Sequence, residues 1–239
     1  MDNLAAGART LLKLDLTSAQ LAAFQTYADV LREWSSRFNL TTIRDLQGVQ
    51  IKHFLDSLSV LKIIRPAPGQ PLRIIDVGTG AGFPGLPLKI MFPQAQLTLL
   101  EATGKKARFC EHVVEALKLS GVTVIKARAE ELGQDGAHRE QYHWAVARAV
   151  AAMPTLAEYL LPLVRLGGGA LAQKGAGALE ETQRAEPAIR RLGGELAQIL
   201  PVELPGIAET RYLVALKKIA ATPPAYPRRP GTPAKTPLR

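Results

Sequence analysis

The chain of 239 residues has one cysteine, Cys110, so no disulfide can form within it. That usage fits a reducing compartment, and a cytoplasmic protein is expected. No apolar run approaches the ~20 residues a membrane span needs, so no membrane partner is expected. The segment MDNLAAGARTLLKLDL has no basic stretch leading into an apolar one, so export is not expected either. The four histidines (His53, His112, His138, His143) have no metal-ligand spacing, and no metal is expected. Acidic residues are in deficit, 21 against 30 basic, for a net charge of +9. The simplest partner for that excess is a polyanion such as nucleic acid.

Hydrophobic periodicity divides the chain. Residues 17–38 read as an amphipathic helix, with Thr17 and Gln20 at capping-box spacing and Leu21, Phe24, Ala28, Leu31 and Phe38 on one stripe. A second helix is expected over about 46–62. Its apolar face carries Phe54, Leu55, Leu58 and Leu61, while Lys52, His53 and Asp56 lie on another. From residue 72 short apolar runs alternate with helical patterns. Strands are expected at LRIIDV (72–77), LTLLE (97–101), VTVIKA (122–127), WAVARA (144–149) and, after a triple glycine, GALAQK (169–174). Helices fall between them, including 104–120, 154–164 and about 176–192. LAQILPVEL and RYLVALKK have no helical pattern between them and are expected to pair antiparallel.

Alternation of this kind implies an α/β fold with a parallel sheet and right-handed crossovers. Five such units and a terminal antiparallel pair match the order of a class I methyltransferase sheet, Rossmann-like and mostly parallel. Three regions follow: an N-terminal helical cap (1–65), the sheet domain (66–219) and a basic tail (220–239). The last 18 residues hold six prolines, four basic residues and no acid. They cannot build a core and are expected to be extended, either solvated or docked.

The stretch DVGTGAGFPG (76–85) stands where the first strand meets the first helix, the edge at which open α/β sheets bind ligands. Gly80, Gly82 and Gly85 fit the G-x-G-x-x-G of a dinucleotide site. Asp76 argues against that reading, because a carboxylate repels a pyrophosphate. S-adenosylmethionine has no phosphate and carries a sulfonium and an ammonium, so it is the expected cofactor. Glu101, after the second strand, can accept from ribose hydroxyls in either cofactor. Glu130, after the third, either joins the ligand site or caps its helix.

The acceptor decides which side chains methyl transfer needs. Cytosine C5 needs a cysteine nucleophile, and Cys110 sits mid-helix beside Phe109, in the setting of a buried small hydrophobe. Exocyclic amines are served by an Asn/Asp-Pro-Pro-aromatic turn after strand four, where this chain has VARAVAAMP. Guanine N7 has a free lone pair and needs no base, so catalysis there can rest on proximity and orientation.

NLTTIRD, KHFLDSL, DVGTGAGFPG, LLEATGKKARF, RAEEL, VARAVA and LAQKG, in that order over about 39–218, resemble the successive motifs of the bacterial 16S rRNA guanine-N7 methyltransferase G family, also called glucose-inhibited division protein B. The resemblance implies methyl transfer from S-adenosylmethionine to N7 of one guanine in 16S rRNA of the small ribosomal subunit or its precursor. Nothing in the sequence demands more than a monomer, which is expected, and no DNA partner is expected. The resemblance places Asp76, Gly78, Gly80, Phe83, Glu101, Ala102, Thr103, Ala129, Glu130 and Arg148 at the cofactor. It places Arg128, Arg148 and Lys174 near the acceptor. Val150-Ala151-Ala152 departs from the Phe-Ala-Ser common in the family. The alternative for Arg148 is a structural pair with Asp76 or Glu101, and His53 with Asp56 is expected to tie the cap to the core. The tail, with Arg228 and Arg229 near Tyr226, is open to an RNA contact or to packing on its own domain. A small-molecule methyltransferase and a non-enzymatic RNA-binding module are the alternatives.

Overall fold

The computed structural model describes residues 1–66 and 69–239. Strands β1 (Arg73–Val77), β2 (Gln96–Leu100), β3 (Val122–Ile125), β4 (Tyr142–Arg148), β5 (Val164–Lys174), β6 (Gly194–Val202) and β7 (Arg211–Lys218) form one sheet. Their spatial order is β3-β2-β1-β4-β5-β7-β6. The first five are parallel, with Ile75 beside Thr98 and Ala145, while β7 runs antiparallel to both β5 and β6. The order reverses between β1 and β4, so the carboxyl ends of these two strands flank the natural ligand crevice.

Helices α1 (Asp2–Leu12), α2 (Ser18–Arg37), α3 (Leu46–Gly48) and α4 (Asp56–Leu58) precede the sheet. A π-helical segment, Val49–Leu55, joins α3 to α4, and a 3-10 turn, Ser59–Lys62, follows. The helix expected over 46–62 is thus continuous in path but locally widened. The Thr17–Gln20 capping box is formed in both directions. Helix α1 was not among the helices marked out by periodicity; its buried residues are only Leu4, Gly7 and Ala8.

The crossover helices are α5 (Gly85–Met91), α6 (Gly104–Ala116), α7 (Ala129–Leu132), α8 (Met153–Leu160) and α9 (Ala178–Arg191), and α10 (Thr232–Lys235) lies in the tail. Successive strand residues face opposite ways, as the pleat requires. Ile74, Leu97, Leu99 and Val146 join a core with the N-terminal helices, α5 and α6. Ile75, Ala145, Ala147 and Ala170 join a second core with α8, α9, Tyr226 and Leu238.

Three expectations about elements need correction. The strand expected at 169–174 begins at Val164, and the triple glycine lies inside it. A Cβ on Gly169 would stand 2.5 Å from the Trp144 ring of the neighbouring strand, so close approach explains a glycine that looked like a breaker. Helix α6 ends at Ala116, before Lys118 turns left-handed at φ 50°. The tail is docked. No described helix is long and apolar enough to cross a membrane.

Candidate functional site

Strand β1 delivers its last residues to the carboxyl edge, and the chain turns at once into α5. Asp76 was expected at the mouth of this turn. It is fully buried behind it. Its Oδ2 accepts from Thr79 Oγ1 (2.6 Å) and from Gly85 N (2.8 Å), so it braces the turn from within. Burial pushes its carboxyl up to about 6, and the two hydrogen bonds only partly oppose that. Asp76 Oδ1 has no protein partner.

The glycines divide by task. A Cβ on Gly82 would meet Tyr27 Oη at 2.5 Å, and one on Gly85 would meet Leu99 at 2.6 Å. These two exist for packing, so the literal match to a dinucleotide fingerprint came partly from glycines that face protein. Gly80 is different. Its φ is +62° and no atom crowds its Cβ position closer than 3.9 Å. Gly80 N donates to Glu101 Oε2 (2.9 Å), and Thr103 N donates to Glu101 Oε1 (2.8 Å). Glu101 therefore ties the loop after β1 to the loop after β2. Its unused lone pairs remain for a ligand hydroxyl.

A cleft of about 100 Å³ opens beside this turn. Gly78, Ala102, Ala129, Glu130, Val150 and Tyr159 line it. Backbone with no side chain on one wall, apolar surface on another and a buried carboxylate suit a flat, cationic, phosphate-free ligand better than a pyrophosphate. Glu130 does not cap its own helix: Oε1 accepts from Gly231 N in the tail (2.8 Å). Its carboxylate helps push the Tyr159 phenol up, after burial.

A second pocket, of about 330 Å³, has Arg148 in its lining. Lys52, His53 and Asp56 come to it from the N-terminal helices, Arg148, Gln173 and Lys174 from β4 and β5, and Arg211 from β7. The partner of Arg148 is neither Asp76 nor Glu101. Arg148 Nη1 donates to Asp56 Oδ2 at 3.0 Å, and its guanidinium carbon sits 4.8 Å from the centre of the Phe83 ring. Burial raises the Asp56 carboxyl, and the Arg148 charge opposes this. Arg148 Nη2 meets His53 Nδ1 at 3.3 Å. With Nδ1 accepting, the ring proton belongs on Nε2, which lies 2.7 Å from Thr41 Oγ1 and donates to it. Burial first, and the Arg148 charge second, push His53 down to about 3, so the ring is neutral at physiological pH. His53 also stacks on Phe83 at 4.7 Å, and Phe83 on Tyr27 at 5.3 Å. His53 and Asp56 thus tie the N-terminal helices to the core, not as a pair with each other but each through Arg148, with His53 also stacking on Phe83 and the Asp56 carbonyl accepting from Gln173.

Lys174 Nζ donates to Ala151 O (2.9 Å) and pairs with Glu181 Oε2 (2.6 Å). Arg148 and Lys174 are brought together, while Arg128 is not. Arg128 is the exposed N-cap of α7 and lines the cleft beside Gly78, with its backbone N donating to Glu131 Oε2 (2.8 Å). Gln173, Arg211 and Tyr159 were missed from sequence. Gln173 Nε2 donates to Asp56 O (2.7 Å), a contact no local pattern announces. LAQKG did contain it, next to Lys174.

A family model described as "rRNA small subunit methyltransferase G" matches residues 20–205. A protein named "Ribosomal RNA small subunit methyltransferase G" from Roseiflexus castenholzii is 50% identical over 225 residues, 94% of each chain. One of the same name from Dehalococcoides mccartyi is 49% identical over 227 residues, 95% of each chain. Among solved structures, TrmN from Thermus thermophilus superposes with a TM-score of 0.52 at 19% identity, over 69% of this chain and 48% of that one. At that identity the likeness concerns the fold.

Proposed function

The chain belongs to the rRNA small subunit methyltransferase G family, and on that premise we propose that it transfers a methyl group from S-adenosylmethionine to N7 of one guanine in 16S rRNA. The observation that carries the acceptor assignment is the position of Arg148. It stacks on Phe83 of the glycine turn and at the same time forms a wall of the basic pocket.

The glycine turn and Glu101 receive the adenosyl ligand; the pocket of Lys52, Arg148, Lys174 and Arg211 receives the base and its phosphates. The cofactor, when bound, supplies a methyl group on a sulfonium. Transfer of that methyl to N7 would leave a neutral thioether and a cationic base. No proton leaves N7, so neither neutral His53 nor any other base is needed at the acceptor. Asp56 fixes the Arg148 fork, which thereby positions rather than titrates. The basic groups favour RNA over a small-molecule acceptor, since phosphate contacts supply most of the affinity.

The test is methyl transfer from labelled cofactor to small ribosomal subunits and to protein-free rRNA, with the modified base mapped. We expect a single 7-methylguanosine, steep salt dependence of RNA binding, and loss of turnover in Arg148→Ala. Label at any other atom, or on no RNA, would refute the assignment.

A further inference from the structure

Six prolines in the tail have no N–H to donate, and several of its carbonyls take donors from elsewhere in the chain. Two side chains after α7 provide them. Arg139 Nη1 donates to Tyr226 O (2.7 Å) and Nη2 to Thr222 O (2.7 Å). Gln134 Nε2 donates to Pro227 O (2.8 Å). Arg228 then forks onto Glu158 of α8, with Nε 2.9 Å from Oε1 and Nη2 2.7 Å from Oε2. Glu158 is fully buried. Thr155 Oγ1, also on α8, donates to Pro233 O (3.0 Å). Between these two anchors lies Gly231, at φ +83° with nothing near its Cβ position. Its N–H donates to Glu130 Oε1 at 2.8 Å, and Glu130 is 3% exposed in the wall of the cleft.

The tail thus does more than cover a face. Both anchors of the segment 228–233 grip α8, and the one turn between them reaches the acid in the cleft. We propose that the C-terminal tail is a strap belonging to the cofactor site, with Gly231 a positioning residue whose N–H orients the Glu130 carboxylate for the adenosyl ligand. The inference rests on reading the cleft beside Gly78 as the cofactor's. Left-handed backbone at Gly231 is what aims the N–H; alanine there is strained although it clashes with nothing, and asparagine tolerates the conformation. Reciprocity follows: whatever the strap does for the ligand, the ligand does for the strap.

Calorimetry with S-adenosylhomocysteine on the full chain tests this. Gly231→Ala should weaken binding by about tenfold, as for a charge-assisted hydrogen bond lost from its geometry. Gly231→Asn should restore most of it. In turnover assays Gly231→Ala should raise KM for the cofactor and leave kcat and KM for RNA nearly unchanged. In the wild type, saturating S-adenosylhomocysteine should slow amide exchange across 228–233. Unchanged exchange there, or unchanged affinity in Gly231→Ala while Glu130→Ala weakens binding, overturns the strap and leaves the cleft reading standing. Unchanged affinity in Glu130→Ala removes both.

Discussion

Phe24, Tyr27 and Phe54 hold the N-terminal helices on one face of the sheet; Arg139, Gln134 and Glu158 hold the C-terminal tail on the other. The first three are fully buried aromatics, with Phe24 and Tyr27 within 4.9 and 5.2 Å of Phe54, and they enter the core that contains Ile74 and Leu99. The tail brings Tyr226 and Leu238 to the opposite core and buries Pro227 and Pro233, and what further secures it is a set of donors aimed at carbonyls plus one ion pair with a buried acid. A helix answers its own backbone and is free to bind through apolar side chains. A proline-rich strap answers only part of its backbone, through a turn at Pro223–Tyr226 and the short helix α10, and the rest is bound from outside. Both then end at the ligand edge, the helices through Asp56 and His53 at Arg148, the tail through Gly231 at Glu130.

If that contrast holds, the largest effect belongs to the apolar side. Phe54→Ala should cost about 3–5 kcal/mol in urea-monitored unfolding, from lost transfer energy plus a cavity. Next comes Arg228→Ala, which strands the Glu158 carboxylate. With Arg228 still a quarter exposed, the cost should be about 2–3 kcal/mol, and the double replacement Arg228→Met with Glu158→Leu should recover most of it. A double variant no more stable than the single would mean that the carbonyl contacts, and not the stranded charge, dominate.

Acid should loosen the helices through His53. Its folded value is depressed to about 3 from 6.5, so the stability of the neutral ring is complete above pH 6.5 and is lost as pH falls toward 3. By pH 5 the loss should be about 2 kcal/mol at most, read as a lower Tm than at pH 7 and reduced in His53→Gln. Equal acid sensitivity in that variant would place the titration elsewhere. Smallest is Thr17→Ala, at about 1 kcal/mol, because the capping box of α2 is exposed and local.

What was legible beforehand is explained by the range of each interaction. The alternation of apolar runs announced the parallel sheet, and the strands arrived within a few residues of their expected ends because a pleat and a helix write their period into adjacent residues. β5 escaped in part because Trp144, a residue of another strand, is what requires glycine at 169. In the site, Arg148 and Lys174 could be placed at one sheet edge from strand order alone. The partners of Arg148 could not, since Asp56 is 92 positions away and arrives on a separate helix. Arg139 and Gln134 belong to no local pattern, and only the tail lying against them gives them partners.

The residues of DVGTGAGFPG by themselves determined a tight turn at a strand end, with glycine where backbone must come close and an acid beside it. Short-range sterics and chain geometry are enough for that. Only the tertiary structure decided which glycines face open space and which face protein, that Asp76 braces the turn from behind, and that the last stretch of the chain returns to the cleft at Gly231. Those outcomes depend on groups far apart in the chain being excluded from water together, and no local pattern encodes such a meeting.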